Sequence, residues 1–197
     1  MMGRFIVIND ICNFNITEAM QKLPNHVLEM FNSPSLLSFF YALLSGGTID
    51  VSRLTNESTL FKAILEEIEK DMMDKIKDAN PDKPNPKILV DSIITSLEQF
   101  SLDLFCKCSY IIDQKQYDRF IKQLGSDISE DINFMNVLSC IFCKDYDNFY
   151  QFWHTSFQEY LSARCIQKNL EDKMLSSTGS SIAEKCSSIL HPSIVRR

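Results

Sequence analysis

The chain has 197 residues, of which 45% are hydrophobic and 23% charged, a composition typical of one or two globular domains. Its net charge of −6 argues against a general binder of nucleic-acid phosphates. The apolar run near the N-terminus is broken by Asn9 and Asp10 and is too short for a signal peptide, and no stretch is long enough to span a membrane. We therefore expect a cytoplasmic protein that binds neither nucleic acid nor membrane.

Prolines and glycines mark the helices of the first part of the chain. Residues 16–30 have helical spacing of apolar side chains, which Pro24 can divide into two helices. Ser33 is a good N-cap, and Pro34 suits the first helical position, where a missing N–H has no partner to lose. The almost wholly apolar helix that follows should end at Gly46-Gly47, which readily adopt positive φ.

A long amphipathic helix and a proline-rich segment come next. Residues 57–77 have one apolar and one charged face, which predicts a helix packed on the preceding one. Residues 80–86 contain three prolines, which exclude a helix and favour an extended linker, so we place a domain junction there. The predicted apolar face of the long helix consists of Leu60, Phe61, Ile64, Leu65, Ile68, Met72 and Ile76.

The second half is predicted to combine helices with a late β-hairpin. Its two β-prone runs surround a turn-forming Asp145-Tyr146-Asp147-Asn148. The expected fold class is therefore mainly α with a short hairpin. The predicted elements are helices at 87–105, 114–124 (ending at Gly125) and 129–138, a short strand at 109–112, and hairpin strands at 137–143 and 149–153.

A histidine stands where the hairpin gives way to the last long helix. Two overlapping capping boxes, Thr155 with Gln158 and Ser156 with Glu159, predict that His154 lies at or just before the helix N-terminus. Such a position is favourable for an anion. The alternative from local chemistry alone is a core helix with a histidine that only caps it. The predicted inner face of this helix holds Phe157, Tyr160, Leu161, Arg164, Cys165 and Lys168.

The stretch Phe152-x-His154-x-Ser-Phe-Gln-Glu-Tyr-Leu-x-Ala163 resembles the motif that ends the winged-helix domain of NACHT-type signal-transducing NTPases, the family that contains the NOD-like receptors of innate immunity. In that family the histidine contacts the β-phosphate of bound ADP and holds the molecule closed and inactive, which implies this role for His154. The segment 32–37 is similar to the family's proline motif, whose proline packs against adenine. The resemblance therefore implies that Pro34 contacts the nucleotide as well.

The resemblance also implies a domain organisation and a set of partners. The regulatory function would be to clasp ADP and to control autoinhibition and oligomerisation. The partners would be the nucleotide-binding and repeat domains of the same protein and, on activation, further copies of it. The implied parts are an edge of the nucleotide-binding domain (1–9), a helical domain (10–79), the linker (80–86), a winged-helix domain (87–172), and a flexible tail or the start of a next helical domain (173–197).

No Gly-x-x-x-x-Gly-Lys-Ser/Thr motif, the loop that cradles nucleotide phosphates, occurs in the chain. We therefore expect a piece of a longer protein that is not itself an enzyme, while its full-length parent would be an ATPase. ADP or ATP would be the cofactor of that parent and would not be held stably by this chain alone.

Seven cysteines are scattered through apolar sequence, which favours reduced thiols. Cys106-x-Cys108 with Cys140-x-x-Cys143 could be drawn as a zinc site. Zinc-binding pairs lie on turns, however, and 138–143 is predicted to be a strand, so no metal ligands are assigned.

Two other functions are considered. In the first, the chain is a nucleotide-independent helical interaction module in which Pro34 and His154 have only structural roles. The second is DNA binding through a winged helix, which the acidic balance and the absence of a basic recognition helix disfavour.

Overall fold

The computed structural model describes residues 16–45, 50–79, 85–127, 134–145 and 147–176. Helices dominate these residues, and two short strands form an antiparallel hairpin, so the predicted mainly α fold with a short hairpin is confirmed. No helix in the described part of the chain is long and apolar enough to cross a membrane. The elements are α1 (Ile16–Gln21), α2 (Asn25–Met30), α3 (Pro34–Ser45), a 3-10 helix (Val51–Arg53), α4 (Glu57–Ala79), α5 (Pro86–Cys106), α6 (Gln114–Asp127), α7 (Phe134–Val137), a second 3-10 helix (Leu138–Cys140), β1 (Phe142–Lys144), β2 (Tyr150–Phe152) and α8 (Thr155–Ser176).

The described residues belong to two compact units. The first unit takes its described residues from 16–86 and 134–142, and the second from 87–127 and 143–176. The segment expected at 1–9, most of the tail expected at 173–197 and most of the proline-rich linker (80–84) lie outside the described residues. Pro86, the last residue of the expected linker, is the first residue of α5, and residues 173–176 belong to α8.

In the first unit, α4 packs on α3, as its amphipathic pattern predicted. All seven residues of the predicted apolar face are buried. A reciprocal cap starts the helix: the backbone N–H of Thr59 donates to Asn56 Oδ1 at 2.9 Å, and the N–H of Asn56 donates to Thr59 Oγ1 at 3.1 Å. This pair satisfies amide groups that the first turn would otherwise leave unbonded.

Pro24 divides the N-terminal helical stretch, as expected from its fixed φ and missing N–H. It stands immediately before α2, with an extended backbone (ψ 146°). The predicted start at Pro34 and the end of α3 next to Gly46 are also found. Phe31, which follows α2, stacks on Phe40 of α3 with ring centroids 4.5 Å apart. This stack therefore joins the end of α2 to α3.

The second unit is organised around an aromatic stack. Tyr117 of α6 lies parallel to Tyr150 of β2, with centroids 3.8 Å apart and an interplanar angle of 4°. Ile112 forms an antiparallel bridge with Tyr150, through backbone bonds of 2.8 Å in both directions. Asp113 and Gln116 then cap α6 reciprocally at 2.7 and 2.9 Å. The stack and the bridge together hold β2 beside α6.

Three predicted elements need correction. Residues 137–140 are helical and only 142–144 form a strand, because Val137, Leu138 and Ile141 are buried at helical spacing where α7 and the 3-10 helix after it pack on α4. A short apolar run does not distinguish the two structures. Helix α6 continues through Gly125 to Asp127, since one glycine inside a helix costs only about 1 kcal/mol relative to alanine. The strand predicted at 109–112 is reduced to the single bridge at Ile112.

Helix α5 ends in a Schellman motif with a cysteine in the left-handed position. The N–H of Ser109 donates to Leu104 O at 3.0 Å, and the N–H of Cys108 donates to Phe105 O at 2.9 Å. Cys108 has φ 52°, a conformation in which Cβ crowds the backbone and which glycine adopts freely. The residue is exposed, so its side chain gains little from packing.

We expect Cys108→Gly to raise the free energy of unfolding of the second unit by about 1 kcal/mol, because it removes this steric penalty. Chemical denaturation of the variant against wild type measures the change. Cys108→Ala is the matched control, since it removes the thiol but keeps Cβ. An equal effect of the two substitutions would show that the backbone conformation is not strained.

Candidate functional site

His154 is the N-cap of α8. Its carbonyl oxygen accepts from the N–H groups of Phe157 and Gln158, and its ring Nδ1 accepts from the N–H of Ser156 at 3.2 Å. The ring therefore does what the oxygen of a serine or asparagine usually does at this position. The helix begins at Thr155, so the prediction that His154 lies just before its N-terminus is confirmed.

The cap is not built from the two predicted capping boxes. The side chain of Gln158 turns away and donates from Nε2 to the carbonyl of Ser109 at 2.9 Å. The carboxylate of Glu159 accepts from Tyr110 Oη at 3.0 Å. Both residues thus tie the first turn of α8 to the segment that follows α5, and the histidine ring takes over the capping.

The hydrogen bond to Ser156 sets the proton position on the imidazole. Because Nδ1 is an acceptor, the neutral ring carries its proton on Nε2. The ring is half-buried, and burial lowers the pKa of His154, an effect that the nearby carboxylate of Glu159 opposes. At neutral pH the site thus presents a neutral imidazole whose donor nitrogen is Nε2.

The lowered pKa of His154 predicts a stability loss in acid. When a histidine has a lower pKa in the folded state than in the unfolded state, its contribution to the free energy of unfolding is complete above the unfolded-state pKa, near 6.5. That contribution is lost as the pH falls through the folded-state pKa. Protonation also places a hydrogen on Nδ1 and breaks the cap. We expect the melting temperature of wild type to fall more between pH 8 and pH 5 than that of His154→Gln. Both proteins have the same carboxylates, so the difference between them reports the titration of His154. Parallel curves for the two proteins would contradict this expectation.

Aromatic side chains pack next to the histidine cap. Phe157 is fully buried and stacks with Trp153, with centroids 5.1 Å apart. Trp153 is also 5.9 Å from the His154 ring. Trp153, between β2 and the histidine, is therefore packed against the first turn of α8.

Pro34 lies in the first unit, whereas His154 lies in the second. It is the first residue of α3 and is exposed. Ser33 stands in the N-cap position: its carbonyl accepts from the N–H of Leu37 at 3.0 Å, while its hydroxyl pairs with that of Ser35 at 3.0 Å. An exposed proline ring offers an apolar contact surface.

A groove of about 700 Å³ in the first unit does not involve either residue. It runs beside α4, and its charged lining is mixed in sign. This mixture favours no particular ligand charge. The charged residues that line it are Asp50, Arg53, Lys62, Glu66, Glu67 and Lys70.

Sequence reasoning missed a buried carboxylate. Glu98 of α5 is only 1% exposed, and its two oxygens bind two cations of α8: Arg164 Nε at 2.8 Å and Lys168 Nζ at 2.6 Å. The available signal was its spacing, because Glu98 falls four residues after Ile94 and three before Ser101, on the inner face of the helix. A charge at such a position needs a partner.

The four cysteines of the zinc site considered above are divided between the two units. Cys140 lies in a 3-10 helix of the first unit, whereas Cys106, Cys108 and Cys143 belong to the second. Burial raises the pKa of Cys140 to about 12, which keeps this sulfur protonated. Among the described residues, no group of three histidine, cysteine or acidic side chains could hold a metal ion.

Comparison with known proteins yields no further assignment. No family model matches the chain, and neither a curated protein nor a solved structure does.

Proposed function

We propose that this chain is the regulatory part of a NACHT-type signalling NTPase, which closes over bound ADP and thereby controls autoinhibition and oligomerisation. The observation that carries the proposal is the histidine cap of α8. His154 uses Nδ1 to hold its own helix, and this leaves the ring proton on Nε2. The histidine stands in the motif that resembles the ADP-binding motif of this family.

The physical chemistry of this end of α8 suits a phosphate. A helix N-terminus carries a partial positive charge and favours anions. An imidazole N–H is a good hydrogen-bond donor to a phosphate oxygen, and a charge-assisted bond is stronger than a neutral one. Along the chain from α5 onwards, helices, a hairpin and then α8 follow one another, an order that agrees with a winged-helix domain, although α7 and the first residue of β1 belong to the first unit. Pro34, exposed at the start of α3, would provide the apolar contact to adenine.

In this proposal the chain acts with other parts of the same protein in the cytoplasm. The nucleotide-binding domain would supply the phosphate loop, the repeat domain would sense the signal, and copies of the protein would assemble once ADP gives way to ATP. The chain alone would not hydrolyse ATP, because it has neither the phosphate-loop lysine nor the magnesium-binding serine or threonine. ADP and ATP would be ligands of the whole protein.

The test begins with the coding sequence upstream, where the proposal expects Gly-x-x-x-x-Gly-Lys-Ser/Thr. The affinity of ADP is then measured for that nucleotide-binding domain alone and joined to this chain. We expect the joined protein to bind ADP at least tenfold more tightly than the nucleotide-binding domain alone, and the affinity for ATP to rise less. The reason is that the closed arrangement in which His154 contacts the β-phosphate, called the clasp below, would form only with ADP. Equal affinities with and without this chain would contradict the proposal.

A second candidate function is a nucleotide-independent interaction module. It is favoured by large apolar side chains exposed in the second unit. Two of them, Ile111 and Phe149, flank the bridge between Ile112 and Tyr150. Such a module would bind its partner equally well with and without ADP, which distinguishes it from the clasp. The exposed residues are Ile88 (60%), Ile111 (59%), Phe149 (41%) and Tyr110 (39%).

A further inference from the structure

The buried ion cluster of Glu98, Arg164 and Lys168 joins α5 to α8 inside the second unit. The carboxylate is 1% exposed, whereas the side chains of Arg164 and Lys168 are 29% and 47% exposed. The two cations are four residues apart on α8 and so lie on the same face, one turn from each other. Each oxygen of the carboxylate binds a different cation, so both ion pairs form together in only one alignment of α8 along α5.

An ion cluster of this kind is a poor way to gain stability alone. Removing a carboxylate from water is expensive, and well-packed apolar side chains of similar volume often replace a buried ion pair without loss of stability. A buried charge does, however, penalise every alignment in which its partners are absent. A shift of α8 by one turn, about 5.4 Å in either direction, would bring one cation into the place of the other and leave one of the two Glu98 oxygens without a partner.

Hydrogen bonds also hold the N-terminal end of α8 against the chain beyond the end of α5. Gln158 binds the carbonyl of Ser109, and Glu159 binds the hydroxyl of Tyr110, both in the segment that directly follows α5. Ten residues separate His154 from Arg164, a distance of about 15 Å along a continuous helix. A helix held at both places carries its capping histidine in a fixed position.

We propose that Glu98 is a positioning residue that sets the alignment of α8 on α5 and thereby the orientation of the His154 ring. Its consequence for nucleotide binding rests on the proposed function, whereas its effect on the ring does not. Glu98 contacts neither the histidine nor, in this account, the ligand. It acts through Arg164 and Lys168.

The test compares Glu98→Met/Arg164→Met, which replaces one ion pair by apolar side chains, with Arg119→Met, a matched change at an exposed position of α6. Glu98→Gln, of nearly equal shape, serves as the second variant should the double substitution fail to fold. Two quantities are measured in the folded proteins. The first is the hydrogen-exchange rate of the Ser156 amide, which donates to His154 Nδ1, and the second is the set of 15N chemical shifts of the His154 ring. Melting temperature is recorded in parallel.

In a folded Glu98 variant, we expect Ser156 to exchange at least tenfold faster while the amides in the middle of α8 change little. The 15N shifts should move towards a mixture of ring tautomers, and Arg119→Met should match wild type. Unchanged Ser156 exchange and unchanged ring shifts in a folded Glu98 variant would overturn the positioning role. A uniform acceleration along α8 that follows a lower melting temperature would also overturn it.

Binding of ADP separates this inference from the proposed function. In the chain joined to its nucleotide-binding domain, the Glu98 variants should bind ADP at least tenfold more weakly. A changed Ser156 exchange with unchanged ADP affinity would support the positioning role and contradict the clasp.

Discussion

Replacing both Arg164 and Lys168 with alanine is expected to lower the free energy of unfolding of the second unit by about 3–5 kcal/mol. Glu98 is 1% exposed, and these two residues bind its two oxygens, so their loss leaves the buried carboxylate without a cation. Tyr160 also loses its contact with Arg164, whose guanidinium lies 5.8 Å from the tyrosine ring centroid. For a unit of this size, the loss corresponds to a fall in melting temperature of at least about 10 °C.

The matched control is the double substitution of Arg119 and Lys122 by alanine. These residues have the same charges, lie three apart on α6 and are exposed, so their removal should change stability by no more than about 0.5 kcal/mol. Urea denaturation of both double variants provides the comparison. Equal effects would show that the cluster around Glu98 is energetically a surface ion pair.

The second large effect concerns nucleotide affinity. With the nucleotide-binding domain restored, His154→Leu should weaken ADP binding by about 1.5–3 kcal/mol, the range for a hydrogen bond to a charged group. This is a loss of roughly 10-fold to 150-fold. Leucine also removes the Nδ1 cap, which costs stability. His154→Asn separates the two roles, because asparagine is a good N-cap but ends short of Nε2.

His26→Leu provides the control for this experiment, since it makes the same substitution at an exposed histidine of α2 in the first unit. Its ADP affinity should equal that of wild type. If His154→Asn also keeps the wild-type affinity, His154 acts as a cap and does not bind the nucleotide.

Local signals predicted the helices well where one signal decides the structure. The fixed φ of Pro34 started α3, and the strict amphipathic period between 57 and 77 gave α4 to within two residues of its end. The prediction of a strand at 137–140 was wrong because the apolar run there fits both a strand and a helix. Packing on α4, which no local pattern shows, makes it helical.

The site was predictable in position but not in its bonds. The aromatic run and the two possible capping boxes placed the start of α8 correctly. The actual cap depends on where Gln158 and Glu159 find their partners, and these are 49 residues away in sequence. The partners of Glu98 are 66 and 70 residues away. Such bonds depend on the tertiary arrangement and have no local spacing.

The most direct test of the clasp compares ADP with AMP, which has no β-phosphate. Affinities are measured for wild type, His154→Leu and His154→Asn in the chain joined to its nucleotide-binding domain. The proposal predicts that both substitutions lower the affinity for ADP by at least tenfold and leave the affinity for AMP unchanged. The reason is that Nε2 of His154 would contact only the β-phosphate. Equal losses for ADP and AMP, or unchanged ADP affinity with a large fall in melting temperature, would contradict the clasp and make His154 a structural residue.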